Sequence, residues 1–116
     1  MRYLSFYTPD PKTAATPPTP EHQSEMRRFA EEMMKSGVLV ATGAFLPGAL
    51  GLRVRQTDGS IRVQDGASEP ARPCVGFALL EVGSRQEAIE ATRRFLKVAG
   101  DGETELMALV DGAPPR

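Results

Sequence analysis

The chain predicts an α+β fold: a ferredoxin-like split β-α-β arrangement with an inserted β-hairpin, two helices lying on one face of an antiparallel sheet. Three observations predict it. Strand-like apolar runs alternate with two stretches of three-and-four helical spacing, in the order β-α-β, hairpin, β-α-β. Two Asp-Gly pairs, Asp58-Gly59 and Asp65-Gly66, lie so close together that a hairpin belongs between Gly51 and Phe77. The run from Cys74 to Val82 is apolar almost throughout, the mark of a strand covered on both faces.

Taken in order, Arg2 to Tyr7 alternates and is aromatic-rich, so it reads as a strand. Thr8 to Pro20 holds five prolines and reads as a loop unable to sustain helix or ladder. It ends in a helix start, with Thr19 as N-cap and Pro20 at the first helical position, where the missing N–H is not needed. Met26, Phe29, Ala30, Met33 and Met34 then mark one buried face, and Gly37 stops the helix at C′. Val38 to Ala41 reads as a short buried strand, and Gly43, Pro47, Gly48 and Gly51 break the segment beyond it. Leu52 to Gln56 and Ile61 to Gln64 alternate around Asp58-Gly59, which places Val54 opposite Val63 and Arg55 opposite Arg62. Ser84-Arg85-Gln86-Glu87 is a capping box opening a helix that buries Ala88, Thr92, Phe95 and Leu96, with Gly100 and Gly102 at its end. Glu105 to Val110 is the last strand, and residues 111–116 form a tail expected to fray.

With 116 residues the chain is one domain, folded over 1–110. Its 41% hydrophobic and 25% charged composition and net charge of -1 are those of a soluble protein with no basic field for nucleic acid. One cysteine, Cys74, excludes an internal disulfide and a multi-cysteine metal site; it reads as a buried, inert thiol. No span approaches membrane length and no leader pattern opens the chain, so a cytoplasmic location is expected, with no metal and no cofactor.

The apolar strand carries an implication of its own. Val75, Phe77 and Leu79 face one way and Cys74, Ala78, Leu80 and Val82 the other, yet two helices cover only one side of a sheet. At ~25 cal/mol per Å² of apolar surface, leaving the second side wet forfeits several kcal/mol. A homodimer packed sheet to sheet satisfies both faces.

Gly37-Val38-Leu39-Val40-Ala41-Thr42-Gly43 resembles the Gly-x-Leu-x-x-(Ala/Ser)-Gly string of YCII-related proteins. Asp65-Gly66-Ala67-Ser68 with Gly76-Phe77 downstream resembles the signature of their DGPF branch, with Ala67-Ser68 where that signature has Pro-Phe. The resemblance spans nearly the whole chain through the order of short motifs. It implies a bacterial dimeric α/β barrel, two ferredoxin-like protomers with sheets face to face, and a family whose members are similar to proteins encoded beside extracytoplasmic-function sigma factors. Fold alone leaves the chemistry open.

His22, the single histidine, sits in the first turn of the first long helix, where the helix N-terminus favours a neutral imidazole suited to acid–base work. Pro20-Glu21-His22 also resembles a Pro-x-His string of the YCII branch, whose histidine works with an aspartate; Asp101 is the nearest replacement here. The alternative is a solvated first-turn residue. Asp65 is either a strand-end carboxylate acting on or binding a ligand, or the residue that makes a tight turn with Gly66. Arg53, Arg55 and Arg62 share one face of the hairpin, a place for an anion or a second protomer's carboxylates, or a solvated basic face. Glu81 is expected at a rim. These residues frame three expectations: a homodimeric small-molecule binding or sensing protein, with a pocket between sheet and helices whose mouth holds 8–19, 43–51 and Asp65; a cofactor-free acid–base enzyme using His22 with Asp65 or Asp101; or an interaction module for a regulatory partner.

Overall fold

Residues 1–46, 48–67 and 74–110 are described in a computed structural model of the chain. The aromatic alternation at the start forms strand β1, Arg2–Pro9. The proline-rich segment after it is not wholly irregular: Pro11–Ala15 closes one helical turn, α1, with Pro11 in the first turn and the Ala14 N–H donating to the Asp10 carbonyl. The expectation of no helix there is corrected, because four proline-free residues suffice for a single turn and Pro11 stands where its missing N–H is not needed.

Helix α2, Pro20–Lys35, begins as its sequence implies, with the Thr19 hydroxyl accepting from the His22 N–H at 3.0 Å. Gly37 leaves it at φ 83, the left-handed conformation that suits a residue without a Cβ. Met33 is buried, whereas Met34 stays largely exposed; one residue further round the helix turns it out of the core. Strand β2 runs Leu39–Ala44, longer than the four residues expected, and a bulge at Val40 resets its register on its neighbour. Gly43 is inside the strand instead of breaking it. A Cβ there would stand 2.7 Å from Cε1 of Phe77, so the close approach of that ring explains the glycine.

A short 3₁₀ turn, Gly48–Leu50, leads into β3 (Leu52–Thr57) and β4 (Ser60–Asp65), joined by Asp58 and Gly59 at positive φ of 50 and 80. The register pairs Val54 with Val63 and Arg55 with Arg62. Strand β5, Gly76–Glu81, starts two residues later than the apolar run, and Cys74 ahead of it is half-buried rather than buried. Helix α3, Arg85–Ala99, carries its box: the Ser84 hydroxyl accepts from the Glu87 N–H, while the Glu87 carboxylate accepts from the Gly83 N–H at 2.6 Å. Of the face expected to be buried, Ala88 is; Thr92, Phe95 and Leu96 are half-buried beside the buried Ala91 and Ala99. Strand β6, Gly102–Leu109, begins at a glycine that had read as a break. The expected tail at 111–116 lies outside the described residues.

The larger sheet has the order β2-β5-β1-β6, antiparallel at every pairing, so each long helix links strands separated by one other: an interleaved α+β arrangement with an open sheet and no closed barrel among the described residues. The second sheet is the two-stranded β3-β4. Tyr3, Ala78, Leu80 and Leu106 pack beneath α2 and α3 with Met33, Leu39 and Ala91. By alternation Leu4, Phe6, Phe77, Leu79, Met107 and Leu109 face the other way, and Met107 and Leu109 remain 56% and 40% exposed.

Candidate functional site

The core beneath the helices is thin. Among the described residues, three of its seven buried apolar side chains are alanines (Ala88, Ala91 and Ala99). Where small side chains face each other across helix and sheet the layers do not fill the space between them, and a cavity of about 480 Å³ opens there. That is within the range of roughly 300–1,000 Å³ typical of small-molecule sites. Its floor is the helix-facing side of the sheet, with Ser5, Tyr7 and Thr104; its walls are Met26 and Phe29 of α2 and Phe95 of α3.

The aromatic residues define its shape. Phe95 meets Tyr7 edge-on at 5.2 Å between ring centroids and Phe29 at 6.4 Å, and the Arg94 guanidinium lies 5.6 Å from the Phe29 ring centre. The polar groups are few. The Tyr7 hydroxyl donates to the Gly100 carbonyl at 3.0 Å. Burial raises its pKa above the ordinary phenol value, and the Asp10 and Asp101 carboxylates add to the rise. The Thr92 hydroxyl is engaged, donating to the Ala88 carbonyl in its own helix. The Thr104 hydroxyl is different: it is buried and has no hydrogen-bond partner among the described residues. Ser5, also on the floor, is only 7% exposed.

His22 lines the same cavity. Its Nε2 lies 2.7 Å from the Val98 carbonyl, which only accepts, so Nε2 carries a proton and donates. In the neutral ring Nδ1 then holds the lone pair. The bond also ties the first turn of α2 to the last turn of α3. No Asp or Glu is among the described residues lining the cavity. Asp101 instead sits at an open depression between α3 and Leu106 of β6, and its backbone carbonyl accepts from the Asp10 N–H.

The other sequence-derived candidates lie elsewhere. Asp65 is exposed at the end of β4, preceding Gly66 at φ 89; Arg53, Arg55 and Arg62 lie on one face of the β3–β4 hairpin. None of the four lines the cavity, so they are not brought together with His22. Glu81 is exposed and pairs with Arg2 at 3.6 Å. Gly43 and Ala44 of the expected mouth do border the cavity. Tyr7 and Thr104 were not singled out from sequence. The inward alternation of Tyr3, Ser5 and Tyr7 carries a signal for the first; the second fell outside the strand as read.

No family model matches the chain, and no curated protein matches it. Among solved structures one match is the divalent cation tolerance protein Cut A1 from Thermus thermophilus, with 11% identity, a TM-score of 0.41, and coverage of 97% of this chain and 88% of that one. The resemblance to YCII-related and DGPF proteins is therefore corrected. Its strings are short, and the glycines in them answer to local geometry: Gly37 ends a helix, Gly66 turns after a strand, and Gly43 admits a ring. Among the described residues no group of three His, Cys, Asp or Glu side chains is placed to share a metal ion. No helix among them is long and apolar enough to cross a membrane.

Proposed function

We propose that this chain is a homodimeric small-molecule binding protein, two ferredoxin-like protomers each holding a ring-sized, largely apolar ligand between its helices and its sheet. The carrying observation is the Thr104 hydroxyl, buried and without a hydrogen-bond partner among the described residues, on the floor of an aromatic-lined cavity. A buried hydroxyl without a partner costs about 1–3 kcal/mol, and a ligand bearing one hydrogen-bonding group on an apolar body removes that cost. Binding fits the site better than acid–base turnover: the Nε2 of His22 is committed to a helix carbonyl, and no carboxylate among the described residues lines the cavity to act beside it.

A thermal-shift panel of small aromatic acids, phenols and neutral ring compounds tests this, because a specific ligand raises the melting temperature by mass action. At least one class stabilises the wild-type chain, and the shift is lost both in Thr104→Val, which removes the hydroxyl, and in Met26→Trp, which fills the space. A panel in which nothing binds, or a shift that survives both substitutions, contradicts the reading.

A further inference from the structure

We propose that the β3–β4 hairpin is an arm that docks, apolar face first, on a second copy of this chain. This rests on the dimeric reading above but not on the cavity holding a ligand. Leu52, Val54, Ile61 and Val63 fall on one face of the ribbon by its register and are 60%, 60%, 60% and 63% exposed. Arg53, Arg55 and Arg62 take the other face, so the arm is amphipathic with its apolar side open. A two-stranded ribbon is marginal in water unless such a face is covered. The arm pairs with no strand of the larger sheet among the described residues; backbone bonds at its root, Gly66 N–H to the Gly51 carbonyl and Ala67 N–H to the Gly48 carbonyl, hold it.

The occupant is set by the other surface that the chain leaves open. The sheet face away from the helices carries Leu4, Phe6, Phe77 and Leu79 beside the carboxylates of Glu103 and Glu105, and Phe45 stacks on Phe77 of that face at 5.9 Å. Phe45, Leu46 and Leu50, at 47%, 75% and 71% exposure, carry the apolar character along the chain toward Leu52 at the arm's root. One chain thus offers both an apolar arm and an apolar patch on its sheet, and a twofold pairing covers both reciprocally. An unrelated partner on the arm would leave the sheet bare.

Sedimentation equilibrium of the full chain at low micromolar concentration tests the arm. Wild type sediments at twice the chain mass. Val54→Glu with Val63→Glu places charge on the apolar face and gives the single-chain mass with unchanged far-ultraviolet circular dichroism, since both side chains are open to water in one copy. Gln64→Glu, with new charge on the opposite face, stays dimeric. Should the double variant fail to fold, Ile61→Lys weakens the dimer by about tenfold or more. A single-chain mass for wild type overturns both this proposal and the dimeric reading. A dimer indifferent to Val54→Glu/Val63→Glu, or to Ile61→Lys, overturns the arm alone.

Discussion

Tyr7 does two things in one place: its ring supports Phe95 at the cavity wall, and its hydroxyl ties β1 to the end of α3 through Gly100. Removing the hydroxyl in Tyr7→Phe lowers stability by about 1 kcal/mol at neutral pH, measured by urea unfolding. The alkaline limb separates this from a packing effect. The ordinary phenol value is 10.0 and the folded one is higher, so the unfolded chain gives up its Tyr7 proton first as pH rises. The contribution is present below the ordinary value and is lost as pH climbs through the raised one. Tyr7→Phe therefore shows a shallower loss of stability above the ordinary value than wild type; an identical slope contradicts the assignment. His22 was legible as a first-turn residue, because Thr19-Pro20 fixes where the helix begins. Its Val98 partner, 76 positions along, was not, because a bond between two helices leaves no local pattern.

At the scale of elements, the hairpin and its register could be read from alternation around Asp58-Gly59, where local turn chemistry and side-chain period agree. Thr19 and Ser84 marked the starts of both long helices for the same reason. The strand limits at Gly43 and Gly102 could not, since each glycine answers to a neighbour distant in sequence. A Cβ at Gly102 would lie 2.6 Å from the Thr8 carbonyl oxygen and 2.8 Å from the Pro9 Cα, backbone that cannot swing aside. Gly102→Ala accordingly destabilises the fold by about 1–3 kcal/mol in denaturant titration. A neutral effect contradicts the close approach of β1 and β6 there. Thr104 was hidden with it: once the strand is taken to start at Glu105, the hydroxyl beneath the cavity drops out of view.

The whole molecule is defined by what one copy leaves uncovered. The two-faced apolar strand already implied a missing cover. The arm's exposure was not legible, because alternation in Leu52 to Val63 says which side chains share a face and nothing about what lies against it. Amide hydrogen exchange across β3 and β4 as a function of protein concentration measures that cover. If a second copy covers the arm, its ladder amides are protected at micromolar concentration and lose protection on dilution, while those of β1 and β5 do not. Rapid exchange throughout the arm at every concentration would mean that nothing packs on it.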